Sequence, residues 1–383
     1  MPRRVTGEYR TLETSGGPVR AFVPLPLPPR DPALVVEGAL AELHAEALAA
    51  LGRLAVAGRM VPSTGWFLYG FVRKEAVISS QIEGTQATLR DVAVFEATER
   101  AEHPEDVEEV CNYVRALQHA RARLREGEPI GTRLLCEAHA LLMRGVRGGE
   151  SEPGTIRTVQ NWIGGSTPAT ARFVPPPAGE VPGALAALES WIGADDPLPP
   201  LVRAGVAHAQ FETIHPFLDG NGRIGRLLIT LLLERWGVLA EPLLYLSYAF
   251  RQRQPEYYAR LSGVRAHGDW ERWVAFYLEC VRRAADDGVG LAAALFELHS
   301  ADRRRVLVDP ASTVSAARLV DLLPQHPVVT APMVCGLLGV TAPTARKTIE
   351  IAEGAGVLRE TSGRERDRVY SYHAYLRALT GEG

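Results

Sequence analysis

The sequence predicts a mostly α-helical protein: a helical bundle with one small β-hairpin, followed by a C-terminal winged helix-turn-helix domain. Three observations predict it. Apolar positions recur at helical spacing through most of the chain, as in Leu40, Leu43, Ala47, Leu51, Leu54 and again in Leu201, Ala204, His208, Phe211, His215. The stretch from Glu152 to Pro177 breaks that period with two short β-prone pieces around a Gly/Pro/Thr turn. Near the C-terminus, a helix, a turn at Gly339 and a second helix precede a short strand and a charged hairpin tip.

Composition sets the frame. A chain of 383 residues predicts two or three domains with ample core. The net charge of −3 gives no global argument for a nucleic-acid or membrane partner. Cys111, Cys136, Cys280 and Cys335 are scattered without C-x-x-C spacing, so neither a zinc site nor a disulfide frame is indicated. The start, Met1 to Arg10, has no apolar h-region, and no apolar run approaches membrane-spanning length. A cytoplasmic location is the expectation.

In chain order, residues 1–35 read as irregular, with Pro24 to Pro29 an extended Pro-rich arm on the surface of the helical body. Helices follow from about 36 and over about 64–78. Ser79-Ser-Gln-Ile-Glu83-Gly84 comes next; Ser79 and Glu83 are four apart and share a helical face, and Gly84 is a natural stop. A further helix runs towards Phe95, then two amphipathic ones over 105–126 and 130–146. His119, His139 and His208 read as packed core histidines. After the hairpin come a helix at about 182–195, the pair flanking His215 to Arg226, and a helix carrying Trp270 and Trp273 to about 297. Residues 298–312, with Arg303-Arg-Arg305, read as a linker or the continuation of a long helix. The domain division is thus 1–110, 111–297, a linker over 298–312, and a winged helix over 313–383. On that tail Arg346, Lys347, Arg364, Arg366 and Arg368 stand where phosphates are reached, although acidic residues interleave with them. Winged helices also serve as protein-contact modules.

The most informative stretch is His215-Pro-Phe-Leu-Asp-Gly-Asn-Gly-Arg-Ile-Gly-Arg226. His215 is a base that titrates near neutrality. Asp219 is a hard carboxylate suited to Mg2+. Gly220, Gly222 and Gly225 let the backbone turn and approach a ligand. Arg223 and Arg226 are cationic forks suited to phosphate oxygens. The loop precedes a helix, where free N–H groups favour anions. The spacing also fits the dinucleotide fingerprint G-x-G-x-x-G, but that fingerprint needs a preceding strand, and here a helix precedes it. The chemistry is that of a polyphosphate site with a proton acceptor at its rim.

HPFLDGNGRIGR resembles the signature of the Fic (Fic/Doc) family, H-P-F-x-D/E-G-N-G-R-x-x-R, at every specified position. That resemblance implies a Fic-type helical bundle and a protein adenylyltransferase that moves AMP from ATP to a Ser, Thr or Tyr hydroxyl of a target. Asp219 would hold Mg2+. Gly220, Asn221, Gly222, Arg223, Gly225 and Arg226 would bind the nucleotide, and His215 would be the base. Ser79 to Gly84 resembles the family's inhibitory motif, S/T-x-x-x-E-G/N, whose Glu, here Glu83, pairs with the second arginine, here Arg226. By the same resemblance the 163–175 hairpin is a flap on whose edge the target segment docks by β-augmentation. The segment Leu246 to Tyr258 would line the nucleoside pocket through Arg253, Tyr257 and Tyr258, although several relatives have Asn where Arg253 stands. Self-modification and a homodimer are further expectations, as is DNA on the winged helix. Two rival readings remain: a relative that removes AMP or transfers another phosphate group, and a DNA-binding regulator whose nucleotide site only senses.

Overall fold

The computed structural model describes residues 4–14, 17–59, 64–146 and 152–381. The first three residues of the polar start lie outside the described residues. The chain opens with an antiparallel hairpin, β1 (Gly7–Thr14) and β2 (Gly17–Pro24). Five helices follow: α1 (Ala39–Arg59), α2 (Thr64–Ile82), α3 (Leu89–Thr98), α4 (Pro104–Arg125) and α5 (Thr132–Leu142). A loop segment with two short 3-10 turns then leads to α6 (Val181–Gly193), α7 (Pro200–Ile214), α8 (Asn221–Arg235), α9 (Leu246–Gln252), α10 (Gln254–His267) and α11 (Trp270–Val308). The tail is α12 (Val314–Leu322), β3 (Val328–Thr330), α13 (Ala331–Leu338), α14 (Ala342–Gly354), β4 (Arg359–Glu360), β5 (Val369–Ser371) and α15 (His373–Thr380). Its three strands are ordered β3-β5-β4, all antiparallel. With Gly339 in the left-handed region between α13 and α14, this is a winged helix-turn-helix. No helix among the described residues is long and apolar enough to cross a membrane.

Four local expectations change. Residues 7–14 and 17–24 form paired antiparallel strands rather than irregular chain. Only β2 alternates, burying Val19 and Ala21; β1 is almost wholly exposed, so periodicity left no mark on it. The flap is closed by a single bridge, Ile163 to Phe173. Gly164 and Gly165 at one end (φ +69° and +82°) and Pro175-Pro-Pro177 at the other leave no room for a longer ladder. The flap is nonetheless extended on its far side, because Phe22 N donates to Val174 O at 2.9 Å, joining β2 to it. His119 is not core: it is half-exposed and lies 2.9 Å from Glu137.

The largest change is at 298–312, which is no linker. Of the two readings open there, α11 realises the second and runs unbroken through Val308. No Gly or Pro interrupts residues 291–308, and Leu295, His299, Asp302 and Val306 are buried at helical spacing. The basic run is exposed throughout: Arg303 meets Asp321 at 2.8 Å, and Arg305 pairs with the buried Asp302. That face of α11 carries the tail, and one hydrophobic core extends through body and tail together. The N-terminal half of α2 is part of the seam. Trp66 Nε1 donates to Asp321 O at 3.2 Å, the His299 ring sits 4.0 Å from the Trp66 ring, and Leu379 fills the space beside Gly70. The hydrophobic core therefore does not stop at the expected domain boundary of residue 313.

Candidate active site

The loop between α7 and α8 is built from backbone outward. His215 ends α7 in the left-handed region (φ 51°), and Gly220 precedes α8 in the same region (φ 75°). Helix α8 begins at Asn221, so Gly222, Arg223, Gly225 and Arg226 sit in its first turns rather than in a free loop. Free N–H groups at that end still face outward.

Buried side chains clamp this loop. Asn221 is turned inward: Phe217 N donates to its Oδ1 at 2.9 Å and its Nδ2 donates to Phe217 O at 2.8 Å. Its side chain thus fastens the loop. His139 on α5 accepts from Gly154 N at Nδ1 (2.8 Å), so Nε2 carries the proton and donates to Asp219 O (3.1 Å), with the ring stacked 3.8 Å from Phe217. His208 on α7 donates from Nδ1 to Gly225 O and accepts from Tyr257 Oη at Nε2, both at 2.8 Å. Burial pulls the first histidine down to about 4 and the second to about 3, so both are neutral and these tautomers hold. Both were expected in the core, and both are buried; what sequence did not reveal is that each fastens the motif's backbone.

The two arginines have different environments. Arg223 is buried and pairs with Glu109 of α4, which also accepts from Thr85 Oγ1 at 2.9 Å. It therefore joins α8 to the chain just after Glu83. Arg226 is also buried, and α2 meets it there. Its Nε donates to Ser79 Oγ at 2.9 Å, and its Nη2 donates to Ser79 O at 2.8 Å and to Glu83 Oε1 at 2.7 Å. Burial opposes the charge on Arg226, but the carboxylate of Glu83 outweighs it and raises the pKa well above that of free arginine. The Glu83 carboxylate lies directly over Gly222, where a Cβ would run into Oε1. Carboxylate oxygens thus occupy the space that an anion bound to this helix end would use.

His215 stands at the rim with 17% of its side chain exposed. Its Nδ1 is 4.0 Å from Glu212 Oε2 and has no hydrogen-bond partner. Burial, helped by the cations Arg157 and Arg265, pulls the imidazole down to about 3, so it is a neutral base at physiological pH. Glu212 is itself buried against Gly225 and pushed up to about 7. Asp219 is 53% exposed; its Oδ1 accepts from Gly220 N at 2.6 Å, and the rest of the carboxylate faces outward. No cluster of three or more His, Cys, Asp or Glu able to hold a metal occurs among the described residues. A single outward carboxylate beside a phosphate site suits Mg2+, which takes one or two protein carboxylates and completes its shell from phosphates and water.

Sequence reasoning missed several groups. Arg157 at the flap's stem is buried and pins the loop through Nε to His215 O (2.9 Å) and Nη2 to Pro176 O (2.6 Å). With only carbonyls around it, burial pulls its pKa down to about 10. Asn161 donates to Phe217 O at 2.8 Å. Arg265 of α10 lies 3.8 Å over the ring of Phe173 in the flap. Nothing in local sequence distinguishes these from surface residues of the same type. Of the three expected nucleoside contacts, Arg253 is held by Glu256 and Glu279, 2.7 Å from each, and lies over Phe276. Tyr257 is buried with its hydroxyl on His208. Tyr258 is half-exposed beside Gln254, which also reaches Ile82 O at the end of α2.

A helical body that carries this loop, with a winged helix behind it, defines a class of protein, and comparison with known proteins gives the class its name. Residues 41–122 match the Fic/DOC family N-terminal model and residues 129–233 the Fic/DOC family model. Residues 317–371 match an HTH DNA binding domain. The chain is a Fic-domain protein with a C-terminal helix-turn-helix domain. Among curated relatives, protein adenylyltransferase Fic of Drosophila grimshawi is 27% identical over 210 residues, 54% of this chain and 40% of that protein. Protein adenylyltransferase fic-1 of Caenorhabditis elegans is 33% identical over 125 residues, 33% of this chain and 22% of that one. The chain thus spans less than half the length of these relatives. A Fic family protein from Desulfovibrio desulfuricans G20 of known structure superposes with a TM-score of 0.56 at 26% identity, covering 88% of this chain and 97% of that one.

Proposed function

We propose that this protein transfers AMP from ATP to a hydroxyl side chain of a target protein and that Glu83 holds it inactive. The observation that carries the proposal is the clasp of Arg226 by Glu83 and Ser79 over Gly222, beside a neutral His215. ATP phosphates would lie over the N-terminus of α8, held by its N–H groups, with Arg226 as the cation for the outer phosphates. Mg2+ held by Asp219 would neutralise charge on phosphate oxygens. His215 takes the proton of the target hydroxyl as its oxygen bonds to the α-phosphorus. The bond to the β-phosphate oxygen breaks in line, and pyrophosphate leaves. Arg157 and Asn161 hold the His215–Phe217 backbone still, so the imidazole stays aimed. The target segment docks on the 163–175 flap.

The decisive experiment incubates purified Glu83→Gly protein with labelled ATP, Mg2+ and lysate of its own host. Labelled bands whose peptides carry the mass of one AMP are expected. Labelling by a phosphate alone, or none from any variant, would overturn the reading. A second reading, a DNA-binding regulator that senses nucleotide, is favoured by the exposed Arg346, Lys347 and Arg366 of the tail. It predicts salt-sensitive DNA binding and no turnover by Glu83→Gly.

A further inference from the structure

Helix α3 is the element directly after the Glu83 loop, and it lies against the tail. Ala93 packs with Val328, Val369 and Leu376, and Val94 and Ala97 join them. Between α3 and the wing runs an open groove of about 690 Å³. Three guanidiniums line it: Arg90 in the first turn of α3, Arg100 just past its end, and Arg364 on the wing. All three are exposed, and among the described residues none of them pairs with a carboxylate. Of the acids at the same groove, Asp91 is spent on the cap of α3, accepting from Thr88 N at 2.9 Å and from Thr88 Oγ1 at 2.6 Å. Glu102 and Asp367 also border it. No aromatic ring lines the groove, so it offers no platform for unstacked bases. Its three unpaired guanidiniums, set beside three carboxylates, are donors that fit the phosphates of a nucleic-acid backbone.

Arg364 belongs to both the groove and the wing. A backbone that the wing engages therefore continues towards Arg90 and Arg100. We propose that the duplex DNA surface of this protein is not confined to the helix-turn-helix module but runs from the wing across the groove onto α3, where Arg90 and Arg100 contact phosphates. DNA bound this way lies one short loop from Glu83. That loop is tied down by Thr85 on Glu109 and by Gln86 N on Asp106.

The test uses the full chain and a fluorescein-labelled mixed-sequence duplex of about 25 bp, with binding read by anisotropy across a salt series. Each phosphate contact contributes a slope of about 0.9 in log affinity against log salt. Arg90→Ala/Arg100→Ala should therefore lower the slope by about 2. Between 50 and 200 mM salt, wild type should lose on the order of tenfold more affinity than this variant. Arg90→Lys/Arg100→Lys should restore the slope, because a phosphate contact needs only the charge. Thermal melts of both variants should match wild type, since the replaced side chains are exposed. Identical affinity and slope in wild type and the alanine variant would overturn the proposal. So would failure of wild type to bind the duplex at low salt, an outcome that would fit a groove for an acidic protein. AMP transfer is read separately, by autolabelling of Glu83→Gly, so failure here leaves that reading untouched.

Discussion

Replacing Glu83 by Gly removes one carboxylate and should change two quantities in opposite directions. Glu83 Oε1 lies 2.7 Å from Arg226 Nη2, and about a third of the Glu83 side chain is exposed. Breaking a fully buried pair costs about 3–5 kcal/mol, whereas an exposed pair is worth about 1 kcal/mol or less. Here Ser79 continues to accept two hydrogen bonds from the same guanidinium, so about 1–2 kcal/mol of stability should be lost. The rate should move the other way. With Glu83 on its fork, Arg226 cannot align the outer phosphates, and a misplacement of about 1 Å costs on the order of a hundredfold. Autolabelling with labelled ATP and Mg2+ should therefore rise by about two orders of magnitude in Glu83→Gly, with melting measured on the same samples. Glu83→Gln keeps the shape and loses the charge, and should fall between. Equal labelling by wild type and Glu83→Gly would return Ser79 to Gly84 to an ordinary helix end. A variant that labels strongly but melts like wild type would show that the pair contributes nothing to stability.

The remaining predictions are shorter. His215→Ala should abolish labelling in the Glu83→Gly background while calorimetry finds ATP binding within a few-fold, because the imidazole serves the hydroxyl and not the nucleotide. Arg226→Ala should be inactive with or without Glu83, since the same guanidinium is needed to align ATP; recovery of labelling in the double variant would show that Arg226 only anchors the inhibitor. Labelling rates should not fall as pH drops through 6.5, because His215 titrates near 3 in the folded chain. In urea titrations stability should rise from pH 4 to about 6.5. His139, His208 and His215 are held below the free value; what they contribute is complete above about 6.5 and lost as pH falls towards 4 and 3. Glu75 and Glu212 are pushed up to about 7 by burial, so their contribution is complete below the free carboxyl value and lost as pH rises through 7. A stability that falls steadily from pH 4 to 6.5 would contradict this balance.

The loop from His215 to Arg226 was legible because its chemistry lies within twelve consecutive residues. The destination of each side chain was not. Arg223 and Arg226 are the same residue type three positions apart, yet one meets Glu109, 114 residues away, and the other Glu83, 143 residues away. No periodicity encodes such pairings; the second was expected only through family resemblance. Asn221 was expected at the nucleotide through family resemblance; that its buried amide also clasps the backbone of Phe217 was not legible. The helices were readable wherever one face is apolar. The exposed strand β1 was not, because both its faces are polar or wet. The run Arg303-Arg-Arg305 suggested a linker, while the helical spacing of Leu295, His299, Asp302 and Val306 beneath it continues the helix.

That continuous helix determines how the molecule comes apart. At a rise of about 1.5 Å per residue, the 39 residues of α11 form a rod of roughly 58 Å. Trp273, Tyr277 and Val281 are buried in the helical body, while His299, 3.6 Å from Asp321, is buried against the tail. A helix shared by two packing units cannot melt in one and stay intact in the other without fraying inside its own hydrogen-bond ladder. Differential scanning calorimetry should therefore record one transition rather than two. A cavity made in the tail, as by Leu379→Ala, should lower the temperature at which the tryptophan signal of the body is lost. Cutting the chain at residue 313 would leave the side chains of Trp66 and His299 facing water, and the remainder should aggregate on concentration. In this protein the tail is a lid on the core, and swapping it between relatives requires exchanging the second half of α11 along with it.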